Sequence, residues 1–495
     1  MENKSTVDTI DSFGKKVIEG EYIIIFENQF DGRIDNPTAQ QAEQLTSEII
    51  SSSNIAESAI RSTYKYAIKG FSAKLSESKV KALERDPRIR SVTPNVLFKL
   101  DYTSKLGTEY LSDKKEAATN YVVASSQSIP WGISRVGGSF DGTGEKAWIL
   151  DSGIDLDHPD LNVDISNSVS FIAKESADDK VGHGTHVAGI LAAKNNSRDV
   201  VGVAAGASVV AVKVCNSLPP SDPESGCPAD VIIDGLDYVS TNAQPDDIIN
   251  MSLGGPAYSP IDNTIISAAN NGIRFTVSAG NEQQQASNVS PARVEHSNVW
   301  TVSAYDDTDA FATSFSNYGN PPIEYGGPGV DILSLYRNGG TATLSGTSMA
   351  APHAAGLLLT SPNGLTDDGF VSGDPDNDPD PIAIADIYLS VSISGPSSLT
   401  KGQQGTWTAS VSDGDGNYSY KWYYRSDDTN NQWNGPVSYT SSYSTTMYSF
   451  DGLTLDIRVD VSDGSQRNGS RTMTVRCSDC DPGGGGGPLS VDSDN

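Results

Sequence analysis

Five short apolar runs constrain this chain more than any other feature: Ala147–Leu150, Ser208–Val214, Asp247–Met251, Ile273–Ser278 and Val299–Ala304. They are too short for buried helices and rich in Val, Ile and Ala, the profile of strands covered on both faces. Segments with helical spacing lie between them at His183–Lys194, Ala229–Ser240 and Ile261–Asn271. This alternation predicts an α/β fold with a doubly wound, mostly parallel sheet, which binds ligands at the carboxyl ends of its strands. The pattern runs from about Ser126 to Asp386.

At 495 residues the chain is long enough for two to four domains, and its texture changes on both sides of this block. Residues 1–20 are polar, and disorder is expected there. Tyr22–Phe26 (Y-I-I-I-F) predicts a strand, Thr38–Ser51 a helix through Ala42, Leu45, Ile49 and Ile50, and Tyr64–Leu75 a second strand. Ser76 then caps a short helix, Glu77–Arg85, and Ile89–Thr93 returns as a strand. Residues 21–100 are thus a small α+β unit with an antiparallel sheet. Residues 101–125 read as a polar linker, the kind of segment where proteolytic nicking concentrates. After a Gly/Asp/Pro loop at Asp367–Asp380, residues 387–476 show short alternating strands with Trp407, Trp422, Tyr424 and Tyr448 as core aromatics. That pattern predicts an Ig-like β-sandwich. Residues 477–495 are a glycine-rich tail.

Thirty-four basic against 63 acidic residues give a formal charge of −29, which argues against nucleic acid or an anionic membrane as partner. No run approaches the ~18 apolar residues of a membrane span. Met1–Gly20 lacks the basic start and apolar middle of a signal peptide. Cys215 with Cys227 and Cys477 with Cys480 have no His or further Cys nearby for a zinc site, so two local disulfides in an oxidising compartment are expected.

The chemistry concentrates in four motifs. Leu344–Gly356 (L-S-G-T-S-M-A-A-P-H-A-A-G) sets Ser348 at the start of an apolar helix, where unpaired N–H groups and the helix dipole favour negative charge. Taken alone, Ser348 is equally well read as a helix cap. Asp151, in W-I-L-D-S-G-I-D, ends a buried strand. His183, in G-H-G-T-H-V-A-G, opens a helix with His186 three residues on, and no H-E-x-x-H zinc pattern is present. Asn281, in T-V-S-A-G-N-E, follows another buried strand. Singly these are a turn former, a cap or metal ligand, and an Asx turn. Together, on one α/β domain, they form a Ser/His/Asp set with an amide for an oxyanion.

With these motifs, over roughly Gln127–Leu359, the chain resembles the subtilisin-like serine proteases (subtilases). Their order, Asp then His then Ser, is also subtilisin's own. The resemblance implies Ser348 as nucleophile, His183 as general base and then acid, Asp151 as the imidazolium's partner, and Asn281 with the Ser348 N–H as oxyanion hole. It implies that Ser252, Leu253, Gly254 and Gly255 form a substrate edge that pairs with an extended peptide. Ala279 and Gly280 would wall the main specificity pocket, with Glu282 at its rim.

Tyr22–Leu100 resembles the subtilase inhibitor propeptide through G-F-S-A-K-L-S and D-P-R-I-R-S-V-T-P, and Gln127–Ile133 resembles a mature start. The resemblance therefore implies a zymogen cut near Ser125–Ser126. It also implies structural calcium, held by Gln127, Asp160 and Asn196, while Asp374, Asp376, Asp378 and Asp380 offer a second acidic candidate. The serine helix ends at Leu359 and passes at once into S-P-N-G-L-T-D-D-G, a shortened domain end that Phe370–Asp386 is expected to complete along the core. The expected protein is a secreted, monomeric serine endopeptidase acting on proteins or peptides, with its own propeptide as inhibitor. An inert adhesion protein working through the Ig-like domain is the alternative. An esterase is disfavoured by the absence of a G-x-S-x-G elbow.

Overall fold

The structure, a computed structural model, describes residues 9–10, 16–27, 29–30, 34–35, 38–100, 103–104, 126–218, 222–361, 364–385, 389–412, 416–426, 432–446, 454–463 and 468–479. These fall into two compact units, Met1–Ala385 and Asp386–Asn495.

The first unit is built on one large sheet. Its strands run in the spatial order Asn162–Val163, Ser208–Lys213, Lys146–Asp151, Ile248–Met251, Arg274–Ser278, Val299–Tyr305, Ile323–Pro328, Pro381–Ala385 and Leu365–Phe370. Every pairing is parallel except the last. Lys146–Asp151 has its successors in sequence on both sides. The strand order therefore reverses there, and such a reversal opens a crevice at the carboxyl ends.

The period-2 alternation of strand side chains explains why these runs are apolar throughout. Trp148, Leu150, Val210, Val212 and Ile249 point to one face, where the helices Ala229–Asn242 and Ser259–Asn270 cover them. Ala147, Ile149, Val209, Ala211 and Ile248 point to the other, beneath His183–Ala192 and Thr347–Thr360. Those two helices pack against each other, and nearly all of their residues are buried.

The front of the chain forms an antiparallel sheet in the order Ile89–Phe98, Lys16–Phe26, Gly70–Lys74, Ile60–Tyr64. Ile24 and Phe26 face this unit's own helices, Ala39–Ser52 and Glu77–Leu83. Ile23 and Ile25 join the core of the large sheet instead. The apolar run Y-I-I-I-F is thus a strand with two covered faces. The helix Ala39–Ser52 opens with a complete capping box between Thr38 and Gln41. Three expectations need correction here. Disorder was expected over residues 1–20, but Lys16–Gly20 begin the strand that runs to Phe26, and Thr9–Ile10 pairs with its start because Val17 and its neighbours add to the sheet beside Val96. The stretch Tyr64–Leu75 is not one strand but the end of one and the whole of another, separated by a turn at residues 65–69. The last strand runs on to Phe98, beyond the expected Thr93.

At the other end, Leu365–Phe370 and Pro381–Ala385 form a hairpin, so the expected Gly/Asp/Pro loop begins as a strand. Pro381–Ala385 adds to the large sheet through Gly326 and Ile382, which completes the shortened domain end. Phe370 itself is 63% exposed and does not line the core.

The second unit is an all-β sandwich. One sheet comprises Ser390–Ser394, Gln404–Ser412 and Ser442–Thr446; the other contains Asn468–Cys477, Thr454–Ser462, Ser419–Ser426 and Asn434–Ser438. Burial alternates along Gln404–Ser412 and Thr454–Ser462, as a half-covered strand requires. Trp407 and Trp422 are fully buried, and Tyr443 stacks on both. Tyr448 lies outside the described residues.

Candidate active site

Asp151 is the last residue of its strand and His183 the first of its helix. Both are fully buried, with His183 Nδ1 lying 2.8 Å from Asp151 Oδ1 and 2.9 Å from Oδ2. The Ser152 N–H also donates to Asp151 Oδ1, at 2.6 Å. The histidine helix starts on a second carboxylate that was not anticipated. Asp179 accepts from the N–H groups of Val181, Gly182 and Thr185, from the Thr185 hydroxyl and from Ser152 Oγ. It thereby satisfies N–H groups that a helix start leaves unpaired, and so sets where His183 sits. Buried Lys213 donates to Ser152 O and steadies the turn after Asp151.

Ser348 is the second residue of its helix and is 2% exposed. Its hydroxyl donates to Ser252 O at 3.2 Å. Pro352 sits inside this helix four residues on and has no N–H to offer the Ser348 carbonyl. Ser252 Oγ fills that vacancy, donating to Ser348 O at 2.9 Å, and is itself held by Asn250 Nδ2 at 2.9 Å. Ser348 and Ser252 are therefore locked to one another in both directions.

The amide of Asn281 is held just as firmly. Its Oδ1 accepts from Thr347 N at 2.9 Å and Thr347 Oγ1 at 3.0 Å, while Gly280 N donates to that hydroxyl. The acceptor end is fixed against the start of the serine helix, and Nδ2 is the donor end. Gly280 adopts φ +98°, and a Cβ there would come within 2.3 Å of Asn317 Nδ2. Asn317 braces this loop: its Nδ2 donates to Ala279 O and Glu282 Oε2, and its Oδ1 accepts from the N–H groups of Glu282 and Gln284. The Glu282 carboxylate is thus engaged by Asn317 rather than simply offered at a rim.

His186 faces backbone carbonyls. Its Nε2 donates to the carbonyls of Ile332 and Ala342, and burial pushes the ring down to about 3. His353 is likewise pushed down to about 4 by burial, its Nδ1 on Met349 O.

The small N-terminal unit runs into this site as a strand. Leu97 and Phe98 pair antiparallel with Pro228 and Cys227, where Cys227 is bridged to Cys215. Lys99 and Gly254 exchange both backbone hydrogen bonds, at 2.9 and 3.1 Å. Thr103 and Ser104 pair with Ser345 and Leu344, just ahead of Ser348. Phe98 is fully buried, its ring 6.1 Å from that of Tyr258. Gly255 leaves the space it occupies, because a Cβ there would lie 2.7 Å from the ring. Leu253 is buried beside it.

Three aspartates on one face of Ala229–Asn242 hold the rest of this unit. Asp230 pairs with Arg61 at 2.9 Å, Asp234 accepts from Ser62 Oγ at 2.5 Å, and Asp237 accepts from the N–H groups of Lys65, Tyr66 and Ala67. Burial pushes the Asp234 carboxyl up to about 7. These three aspartates were missed in the sequence, where their spacing i, i+4, i+7 was the signal that could have found the face.

Gln127 Nε2 donates to the carbonyls of Lys194 and Val200, and Asn196 Nδ2 to Asp160 Oδ1 at 2.5 Å. Asp160 is fully buried, its Oδ2 lacks a well-formed hydrogen bond, and burial raises its carboxyl to about 6. The loop Asp374–Asp380 turns on its own carboxylates, with Asp376 N on Asp374 Oδ1 and Asp378 N on Asp376 Oδ1, while Ser303 donates to Asp380. Among the described residues, no group of three or more His, Cys, Asp or Glu side chains is arranged to hold a metal ion. The Cys215–Cys227 bridge is formed, and Cys480 lies outside the described residues.

A buried carboxylate–imidazole pair and a serine at a helix start, gathered at the crevice of a doubly wound sheet, define a serine-type hydrolase. Comparison with known proteins agrees. The subtilase family model matches residues 142–362, and the peptidase inhibitor I9 model matches residues 21–101. The chain is 31% identical over 353 residues to alkaline serine exoprotease A of Vibrio alginolyticus, covering 69% of this chain and 60% of that protein. Subtilisin-like protease 5 of Arthroderma otae is 33% identical over 314 residues, 60% of this chain and 70% of that protein. Thermostable alkaline protease of Halalkalibacterium halodurans is 38% identical over 294 residues, 58% of this chain and 70% of that protein. The chain belongs to the subtilase family.

Proposed function

We propose that this chain is a secreted serine endopeptidase, made as a zymogen, that cuts peptide bonds through Ser348, His183 and Asp151. An extended peptide pairs along Gly254 as Lys99 does, which carries its carbonyl carbon past Ser252 to Ser348. His183 takes the Ser348 proton as Oγ attacks, and Asp151 holds the imidazole by Nδ1 and stabilises its charged form. The tetrahedral oxyanion lies against the Ser348 N–H and Asn281 Nδ2 at the helix start. His183 then passes its proton to the leaving amine, and water releases the acyl group by the same steps.

The observation that carries this reading is the chain's own strand, hydrogen-bonded along Gly254 beside Ser348 in the manner of a substrate. Ser348→Ala tests it: casein hydrolysis should fall about 10⁶-fold, a magnitude carried over from subtilisin. Turnover that survived within a factor of ten would sink the assignment. The Cys215–Cys227 bridge supports an oxidising compartment, hence secretion. No helix among the described residues is long and apolar enough to cross a membrane. No observation favours the adhesion alternative.

The Gln127–Asp160–Asn196 seat fits calcium. Rotating the Gln127 amide would bring its oxygen beside the carbonyls of Lys194 and Val200 near the Asp160 carboxylate, oxygen donors of the kind this cation takes, while Asn196 Oδ1 would have to give up the Arg198 N–H to join them. A bound cation would also compensate the buried Asp160 carboxylate. Chelation should therefore lower the thermal midpoint by several degrees, and Asp160→Asn should lose that sensitivity. A midpoint indifferent to chelator overturns the seat.

A further inference from the structure

We propose that the Cys215–Cys227 bridge is a specificity determinant: it fixes the cleft edge that reads a substrate three and four residues before the one whose carbonyl is attacked. This rests on the serine peptidase reading of Ser348 and deepens it.

Two edges hold the strand that occupies the cleft. On one, Lys99 faces Gly254 in an antiparallel pair closed by both hydrogen bonds. On the other, Phe98 and Leu97 face Cys227 and Pro228, again antiparallel. This second edge lies close, since a Cβ on Gly226 would stand 2.3 Å from the Phe98 carbonyl oxygen. Ser252, two residues before Gly254, accepts the Ser348 hydroxyl on its carbonyl. In an antiparallel register the substrate residue facing Ser252 is therefore the one Ser348 attacks, and the residue facing Gly254 stands two positions before it. Residues facing Cys227 and Pro228 stand three and four positions before it.

The two cysteines are anchored unequally. Cys215 follows the strand Ser208–Lys213, and the N–H groups of Val214 and Cys215 both donate to Asp151 O, at 2.9 and 3.2 Å. One end of the bridge thus sits on the backbone of the residue that holds His183. Cys227 instead pairs with the inhibitor-type unit. The helix that starts at Ala229 has Pro228 at its cap position, without a side-chain cap hydrogen bond, and the Asp230 N–H is taken by Asn95 Oδ1 of the same unit at 3.1 Å. Phe98 and Asn95 depart together when that unit leaves the cleft. The bridge then ties this edge to the end of the catalytic strand, helped by the Asn216 N–H on Gly226 O and the Gly226 N–H on Asn216 Oδ1. An extended peptide meets an edge already in place and does not have to order it. Both cysteines are fully buried, so substitution is the way to open the bridge.

Peptides that carry the attacked residue as the second, third or fifth of their chain test this on enzyme matured from the full chain. The third residue reaches Gly254, and the fourth and fifth reach Cys227 and Pro228. Wild type should gain on reaching Gly254, then gain about tenfold more in kcat/KM over the last two positions, the worth of one to two backbone hydrogen bonds. Cys215→Ala combined with Cys227→Ala should lose that second gain, chiefly in KM. It should keep the first gain, and its kcat on the shortest peptide should stay within a factor of two. Gly226→Ala keeps the bridge but sets a Cβ against the substrate backbone, and it should lose the same second gain. A wild type indifferent to the last two positions overturns the proposal, as does a bridge-free variant that keeps the tenfold gain. Equal loss on all three lengths also overturns it, because the bridge would then serve the fold and not the reading of substrate. Ser348→Ala separates the two readings. If that variant still hydrolyses the peptides, the peptidase assignment fails; if it is inert while the length profile ignores the bridge, only this inference fails.

Discussion

The helix that carries Ser348 and the helix that carries Asp230, Asp234 and Asp237 cover opposite faces of one sheet, and they solve opposite problems. Thr347–Thr360 is buried on every side, so its only polar contacts are ones it cannot exchange with water. Its broken ladder at Pro352 is repaired by Ser252, and its first turn is held by Asn281 through Thr347. Ala229–Asn242 keeps one face on the sheet and offers three carboxylates to the inhibitor-type unit. The lesson is a division of labour. Geometry that must not move is built on a helix with no wet face, while the inhibitor-type unit is held both by an apolar seam through Ile23, Ile25 and Phe98 and by carboxylates at its margin whose partners water can replace.

This comparison predicts that substitutions on the two helices' contacts separate turnover from inhibitor release. The largest effect is on the buried side. Asn281→Ala should lower kcat by about 100- to 1000-fold, the loss carried over from subtilisin's oxyanion donor, with KM nearly unchanged. Release of the N-terminal inhibitor-type unit from the processed chain should keep its wild-type rate. Steady-state kinetics with a short peptide, alongside gel filtration of the cut chain, distinguishes these. A kcat within a factor of three of wild type would remove Asn281 from the oxyanion site.

The same contrast explains what could be read in advance. Apolar runs covered on both faces are conspicuous, and five neighbouring strands of the sheet were legible, as were the two buried helices, whereas Ile323–Pro328 (I-E-Y-G-G-P), also paired on both sides, lacks such a run and was not. The side chains of Asp151, His183, Ser348 and Asn281 were legible as motifs because each sits where a strand or helix ends. What escaped were polar residues whose part is set by how a turn folds or by a partner on another element, neither of which a linear pattern displays. Asp179 looks like any acid in a D-D-K stretch until five donors converge on it. Asn250 links Ser252, two residues on, to Thr276 on the neighbouring strand, and Asn317 reaches back to the Ala279–Gln284 loop, so neither shows its part until the strands pair. The turn at Lys65–Lys69 was read as strand because Tyr64–Leu75 as a whole alternates, with Ala67 and Ile68 adding apolar positions inside it. They are buried beneath a docked surface that only the fold reveals. The edge hairpin at Leu365–Ala385 was obscured by aspartates and glycine, residues that sheet centres avoid but exposed edges accept.

The smallest effect belongs to the docking helix and depends on pH. Asp234 is desolvated under the inhibitor unit and lies near Asp230 and Asp237, with Ser62, Arg61 and Tyr64 facing it from that unit. Its carboxyl is raised to about 7 when docked. Once the inhibitor leaves, the carboxyl returns towards the ordinary value near 4. The docked form therefore binds the proton more tightly. Affinity for the inhibitor is fullest below about pH 4, falls as pH rises towards 7, and levels off above that. Because Asp234 is only partly enclosed and Arg61 offsets some of its charge, the change between pH 5 and pH 7 should be on the order of tenfold. Release of the docked unit from the cut chain, followed as the appearance of activity and corrected for the enzyme's own pH profile, should accelerate by that factor. Asp234→Asn should flatten the dependence while leaving kcat on a short peptide alone. A slope that persisted in this variant would move the proton to Asp237 or Glu21, which burial also raises, and would leave Asp234 a plain hydrogen-bond acceptor for Ser62.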